Sequence, residues 1–234
     1  RSAFATSYGA RFTGDRKGYD LTLSFVAREG EKTSGFSFAG MSAYALDKPL
    51  MDFDGIRKAL DDTVRMVHTT STEGKVDGTV VFTPQCFANM LEFVGEVYLS
   101  DTALIDGTSP WKDKLGQPVT DKRITLSIMP HHPAIVGGER YTGEGFLSEN
   151  YEVIKEGVLQ SFMLSLYAAN KTGLKRAPAS SFDAVMAPGD TALDDLIASI
   201  PKGVLVGAFS GGMPGPNGDF SGVAKNAFLI ENGR

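Results

Sequence analysis

Three histidines and one cysteine are the side chains of this 234-residue sequence best suited to metal binding or to acid–base chemistry. They are His68, His131, His132 and Cys86. A zinc peptidase helix carries two histidines four residues apart with a glutamate nearby, because positions i and i+4 face the same ion. No such pattern occurs here. His131 and His132 lie between two prolines, where neighbouring side chains of an extended chain point to opposite faces, so we favour solvated or packing roles over metal binding.

Two side chains could act as nucleophiles, Cys86 and Ser210. Cys86 lies in the first turn of a predicted helix, whose dipole could lower the pKa of the thiol. None of the histidines has a familiar local signature of a partner base, so we favour a small, semi-buried and inert cysteine. Ser210 precedes Gly211 but lacks the Gly-x-Ser-x-Gly elbow, which argues against a serine hydrolase.

A turn rich in glycine and proline near the C-terminus is the most distinctive segment of the sequence. It separates the β-prone run 204–209 from an extended pattern over 219–230 and therefore predicts a β-hairpin. Gly211 and Gly212 could present backbone N–H groups to a ligand or could simply give a wide turn its geometry. They do not open a helix, so a nucleotide phosphate loop is poorly supported.

Composition restricts the classes of partner. The formal net charge is -5, and the densest basic cluster is only Lys112, Lys114, Lys122 and Arg123, so we expect no direct contact with nucleic acid. A single cysteine rules out an internal disulfide framework and favours the cytoplasm. No apolar run approaches the roughly 20 residues that span a bilayer, so no membrane partner is expected.

The elements that must position these residues are read from periodicity and turn signals. The strands are predicted over 19–29, 33–44, 79–82, 123–128, and in hairpins over 150–166 and 204–230. The helices are predicted over 54–68, 83–95, 168–172 and 193–200, the last opened by a capping box at 191–194.

The first 45 or so residues are predicted to form an antiparallel meander. Two segments are predicted to be irregular, a long surface loop over 101–122 around Trp111 and a crossing over 130–138. The fold class is therefore α+β, consisting mainly of antiparallel sheet and hairpins with a few packed helices.

Several short motifs, taken in their order and spacing, resemble the TldD/PmbA (TldD/TldE) family, historically labelled modulator of DNA gyrase. They cover nearly the whole chain and lie at 80–84, 113–117, 123–126, 145–148, 154–159, 209–213, 218–222 and 227–233. The resemblance implies a C-terminal PmbA/TldD-type domain over 1–234, with a sub-boundary near the polar linker 70–78. It also implies that a further N-terminal domain of the family is missing, so we expect the chain to be a fragment.

The resemblance further implies peptide hydrolysis by a pair of related subunits. The TldD-like subunit carries zinc on a His-Glu-x-x-x-His helix plus a cysteine near the C-terminal glycine-rich strand. In this chain the corresponding helix, 84–92, has no histidine, and Phe209 or Ser210 stands at the place of the cysteine. Both departures indicate the PmbA/TldE type, so no catalytic or metal-binding residue is expected in this chain.

The leading hypothesis is therefore a cytoplasmic, non-metal subunit that helps to bind unfolded or extended peptides, while zinc is held by a TldD-like partner. The predicted peptide-facing residues lie in the glycine-rich hairpin and in the 101–122 loop. They are Ser210, Gly211, Gly212, Met213, Lys114 and Gly116.

Two alternatives stay open. One is a zinc metallopeptidase in its own right, with an unorthodox site built from His131, His132 and either Glu139 or Glu144. The other is a homodimeric peptide-binding or interaction protein without a peptidase role.

Overall fold

The structure, a computed structural model, describes residues 1–71, 74–212, 214, 215, 217 and 219–234. The chain divides into two compact units, each assembled from segments distant in sequence. The first unit contains 1–17, 89–190 and 213–221, and the second contains 18–88, 191–212 and 222–234. The predicted sub-boundary at 70–78 lies inside the second unit.

The strands and helices of the described chain are short. The strands are β1 (Ser2–Ala5), β2 (Arg11–Gly14), β3 (Tyr19–Phe25), β4 (Arg28–Glu29), β5 (Lys32–Thr33), β6 (Ser37–Ala43), β7 (Thr79–Phe82), β8 (Leu126–Ile128), β9 (Tyr151–Lys155), β10 (Val158–Leu159), β11 (Ala184–Met186), β12 (Lys202–Ser210) and β13 (Val223–Glu231). The helices are α1 (Ile56–Arg65), α2 (Pro84–Val94), α3 (Asp101–Ile105), α4 (Leu166–Thr172) and α5 (Leu193–Ala198). A single 3-10 turn covers Leu50–Asp52, and a π-helical turn, Gly95–Leu99, continues α2.

The first unit is built around a four-stranded antiparallel sheet of order β10-β9-β8-β11. Its strands are short, but the apolar side chains of β8 are buried and those of β11 are half-buried, with Ile128 and Leu159 both fully inaccessible. The buried cluster consists of Leu99, Ala103, Leu104, Leu126, Ile128, Val153, Ile154, Leu159, Phe162, Leu164, Ala168 and Ala179. A separate N-terminal hairpin pairs β1 with β2.

Helix α4 shows how the sequence fixes the ends of a short helix in the first unit. Ser165 caps its start, with the hydroxyl oxygen accepting a hydrogen bond from the Ala168 backbone N–H at 3.1 Å. Gly173 ends it at φ +75°, in the left-handed region that glycine adopts without strain. The helix ends at Thr172, as the sequence predicts, but it begins at Leu166, two residues before the predicted start at Ala168.

The second unit contains two larger sheets, each with its own small core. The hairpin β3–β6 packs on α1 through Met41, Phe53 and Ile56. In the other sheet, of order β13-β12-β7, β12 pairs antiparallel with β13 and parallel with β7. Its core is the cluster of Val81, Ile200 and Ile230. The observed antiparallel sheets with short helices confirm the α+β prediction.

Helix α2 begins directly after β7, as the sequence predicts. The Thr83 backbone N–H donates to the Val206 carbonyl at 3.0 Å, which extends the parallel ladder by one bond. The Thr83 hydroxyl then accepts from the Cys86 N–H at 3.2 Å, and Pro84 occupies the first helical position. The start of α2 is therefore fixed on the sheet of the second unit.

Two predictions about strands are wrong. The N-terminal meander is instead three separate antiparallel pairs, β1–β2 in the first unit and β3–β6 and β4–β5 in the second. The strand predicted over 158–166 is regular only at Val158–Leu159. Beyond that point the Gln160 N–H still donates to the Val153 carbonyl of β9, but the Met163 N–H donates to the Leu99 carbonyl of the π-helical turn. The Ala177 N–H donates to the Leu164 carbonyl.

Three predictions about helices and loops also need correction. The predicted 101–122 loop opens with helix α3, capped by the Ser100 hydroxyl. The capping box at 191–194 is not formed, because α5 begins after Ala192 and no side chain caps it. Helix α1 ends at Arg65 rather than near His68. Among the described helices, none is both long and apolar enough to cross a membrane.

Truncation of Leu159 tests the importance of the first unit's core. Leu159→Ala removes a fully buried side chain, so we expect the free energy of unfolding to fall by about 2–5 kcal/mol. Urea unfolding followed by the fluorescence of Trp111, which packs against this core, measures the change. Leu147, 63% exposed, gives the control Leu147→Ala, expected to change stability by less than about 0.5 kcal/mol. Equal effects of the two variants would contradict the assignment of the core.

Candidate functional site

The glycine-rich turn begins where the predicted hairpin places it. Ser210 is the last residue of β12, is exposed, and pairs with Val223 of β13. Gly211 and Gly212 follow with φ of +68° and +75°, values that side chains with a Cβ adopt only at a cost. Met213, also predicted to face a peptide, lies outside the described residues. The two glycines are therefore required by the backbone conformation of the turn.

The edge of the sheet next to this turn is formed by β13. In the order β13-β12-β7, β13 is paired on one side only within the described residues. The strand is nine residues long and exposes Val223 and Leu229. A long edge strand presents unpaired backbone N–H and C=O groups, which can pair with another extended segment.

Lys114 and Gly116 lie in a tight turn of the first unit. The Lys114 N–H donates to the Trp111 carbonyl at 2.8 Å, and the Gly116 N–H to the Leu159 carbonyl at 2.8 Å. Gly116 has φ of +75°, so its glycine serves the turn. The Lys114 side chain is exposed. Lys114 and Gly116 thus belong to a different unit from the 210–212 turn.

The first turn of α2 does not fit a zinc ion. Its only soft ligand is Cys86, which is 1% exposed, and burial raises the pKa of its thiol. Burial therefore opposes formation of the thiolate considered from the sequence, which favours the interpretation as an inert cysteine. The helix contains no histidine.

The histidines make local contacts. His131 and His132 lie in a turn rather than in extended chain. The His131 Nε2 atom is 2.7 Å from the Ser148 carbonyl oxygen, and His132 Nδ1 accepts from the Ala134 N–H at 3.2 Å. In the other unit, His68 Nε2 lies 2.6 Å from a Glu29 carboxylate oxygen. These are packing and surface contacts.

The unorthodox metal site considered for this chain is not assembled. Glu144 accepts a hydrogen bond from the Leu166 N–H at 2.7 Å, and Glu139 is bonded to serines. Within the described part of the chain, no group of three or more His, Cys, Asp or Glu side chains is placed to hold a metal ion. His131, His132, Glu139 and Glu144 thus do not converge as metal ligands.

Glu139 instead organises a polar network that sequence reasoning missed. Its carboxylate accepts from the Ser148 hydroxyl at 2.7 Å, from the Ser180 N–H at 2.8 Å and from the Ser180 hydroxyl. Partial burial by itself raises the pKa of Glu139, but the bonds from Ser180 and Ser148 outweigh it and leave the pKa below its ordinary value. The nearby Tyr151 hydroxyl has its pKa raised by burial and by the Glu139 charge. Glu139 lies 9 residues from Ser148 and 41 from Ser180, so no local sequence pattern indicates this network.

A family model and solved structures match most of the chain. The model of the PmbA/TldA metallopeptidase C-terminal domain matches residues 74–234. A metalloprotease of Methanocaldococcus jannaschii is 25% identical over 251 residues, which covers 98% of this chain and 53% of that protein. A structure from Bacteroides thetaiotaomicron, described as a candidate modulator of DNA gyrase, superposes with a TM-score of 0.80 at 30% identity and covers 93% of this chain and 49% of that one.

A further structural match supports the fold alone. The structure of TldE from Thermococcus kodakarensis has a TM-score of 0.81 at 22% identity and covers 97% of this chain and 54% of that one. The chain spans about half the length of the relatives that it matches.

The Glu139 network predicts a specific pH dependence. A carboxylate whose pKa is depressed on folding stabilises the fold above its unfolded pKa of about 4.3, and this contribution is lost as the pH falls through the folded value. We therefore expect wild-type stability to fall more steeply below about pH 5 than that of Glu139→Gln. At neutral pH the variant should be less stable by roughly 1–3 kcal/mol, because the serine donors lose a charged acceptor.

Urea unfolding at a series of pH values measures both effects. The matched control is Glu149→Gln, which changes an exposed carboxylate of the same unit. The free energy of unfolding of this variant should fall with decreasing pH as steeply as that of the wild type. Parallel pH profiles for wild type and Glu139→Gln would show that the network does not hold the carboxylate ionised.

Proposed function

Because the chain belongs to the PmbA/TldD metallopeptidase family, we propose that it is a PmbA/TldE-like subunit that binds extended or unfolded peptides for a metalloprotease complex. The zinc of that complex is held by a TldD-like partner and not by this chain. The observation that carries the proposal is the start of α2, where a buried Cys86 is the only soft ligand and no histidine is present. A family fold without the donors for zinc suits a binding subunit.

The hairpin β12–β13 supports a role in peptide binding. The β13 edge offers backbone groups along nine residues, and strand addition gives affinity that tolerates many sequences. Apart from its chain neighbours, no atom of the described residues lies within 4 Å of a Cβ placed on Gly211, which supports an approach of a peptide main chain beside the turn. Ser210, Gly211, Gly212 and Met213 are proposed to face the peptide from this hairpin, and Lys114 and Gly116 from the first unit.

The compartment and the remaining partners follow from composition. One cysteine suits the reducing cytoplasm. A net charge of -5 disfavours direct contact with DNA, so we attribute the gyrase label of relatives to an indirect effect. The alternative, a homodimer of this chain in place of a complex with a TldD-like partner, is one of the outcomes that the reconstitution experiment distinguishes.

Reconstitution with a TldD-like subunit tests the proposed division of roles. We expect the two chains to co-elute in size-exclusion chromatography and the mixture to cleave unfolded peptides faster than either chain alone. Metal analysis should find zinc in the partner and not in this chain. Stoichiometric zinc in this chain alone, lost in His131→Ala, would support the independent zinc enzyme. Absence of both a complex and a change in cleavage would favour the homodimeric interaction protein.

Substitution of Gly211 tests the peptide-facing hairpin. Gly211→Ala places a Cβ at φ +68°, which costs about 1–2 kcal/mol and lowers the equilibrium constant for forming the turn roughly tenfold. Peptide affinity, measured by fluorescence polarisation, should fall by up to about tenfold. The control is Gly189→Ala, at a glycine with open space and no positive φ, which should leave affinity unchanged. Unaltered affinity in Gly211→Ala, with the fold intact by circular dichroism, would remove the hairpin from the peptide site.

A further inference from the structure

A cavity of about 350 Å³ opens within the first unit, and none of its lining residues has been considered so far as part of a peptide surface. It lies where α2 passes through the π-helical turn into α3. Its lining residues are Glu92, Gly95, Glu96, Ser100, Asp101, Met163, Ser180 and Phe182. Every one of them belongs to the first unit.

The apolar wall of the cavity depends on a glycine. A Cβ at position 95 would lie 2.8 Å from the Phe182 ring, too close for any larger residue without a shift. Gly95 is buried and begins the π-helical turn, an irregularity often found at functional sites. Phe182 and Met163 provide an apolar surface beside the polar rim. The cavity therefore combines a packed apolar side with an open polar one.

All of the charged side chains that line the cavity are acidic. Glu92 and Glu96 are exposed and four residues apart, so their charges repel, which costs a helix a few tenths of a kcal/mol. Among the lining residues, all of them within the described chain, there is no Lys, Arg or His that could pair with either carboxylate. The repulsion is therefore uncompensated by the side chains that line the cavity.

The remaining polar groups are held in fixed positions. Asp101 accepts from the Ser165 N–H at 2.9 Å and from its hydroxyl at 2.5 Å. The Ser180 hydroxyl donates to Glu139, which places a further carboxylate directly behind the lining, and the hydrogen bonds that lower the pKa of Glu139 keep it charged. Acidic groups that converge on a partly apolar cavity focus a negative potential there.

We propose that this cavity binds the side chain of a lysine or arginine in the extended peptide. Such a side chain has an apolar stem, which fits against Phe182 and Met163, and a cationic end, which reaches Glu92 and Glu96 at the rim. An anionic or purely apolar ligand would leave the carboxylates desolvated without a partner. This inference rests on the proposed function, because it names a substrate preference of the same peptide-binding subunit.

Peptide binding to the full 234-residue chain tests the preference. We compare two fluorescent peptides that differ only at one position, lysine against the uncharged norleucine. The lysine peptide should bind roughly tenfold more tightly at low salt, since exposed ion pairs each contribute up to about 1 kcal/mol, and should lose this advantage at high salt. The double variant Glu92→Gln/Glu96→Gln should bind both peptides equally, whereas Glu149→Gln should keep the wild-type preference.

A small-molecule measurement separates failure of the cavity from failure of the proposed function. We follow the NMR signal of the Met163 methyl group during titration with n-pentylamine or with 1-pentanol. A saturable shift with the amine only, absent from the double variant, supports the cavity even if no peptide binds. Peptides that bind with no preference for lysine would overturn the inference while the proposed function stands. A Met163 signal that does not respond to the amine would overturn it as well.

Discussion

The carboxylate of Asp101 sets the geometry of the first unit. It belongs to the first turn of α3, and its two oxygens accept from the backbone and the hydroxyl of Ser165, the residue that caps α4. Two short helices, neither of which would be stable alone in water, are thus joined at their N-terminal ends. The negative charge lies where both helix dipoles favour it. The cavity beside α3 keeps its shape because this junction is fixed.

A comparable constraint operates in the second unit at the start of α2. Thr83 donates a ladder hydrogen bond to β12 and caps the helix with its hydroxyl, so the chain turns from sheet to helix within one residue. Such a joint can hold a metal-binding helix rigidly against a sheet. In this chain the joint is present, but the helix that follows carries a buried thiol and no imidazole.

The sequence predicted those elements whose signals are local. Thr83 and Pro84 located the start of α2, Gly173 the end of α4, and the run before Gly211 located β12. The failure over 158–166 depends on long-range contacts. No local pattern could show that the chain beyond Leu159 bonds to the π-helical turn at Leu99.

In the candidate site too, local signals identified some residues, whereas others depend on contacts between distant segments. Gly211 and Gly212 were found because positive φ selects glycine by itself. Glu139 was considered only as a metal ligand, because its serine partners lie 9 and 41 residues away. The acidic cavity needs separate segments to converge, and Glu92 with Glu96 alone reads as an ordinary solvated helix face. The helix face lines a cavity because Phe182 packs closely against Gly95. The proposed lysine preference therefore depends on packing between distant segments, whereas the sequence alone shows that α2 contains no histidine.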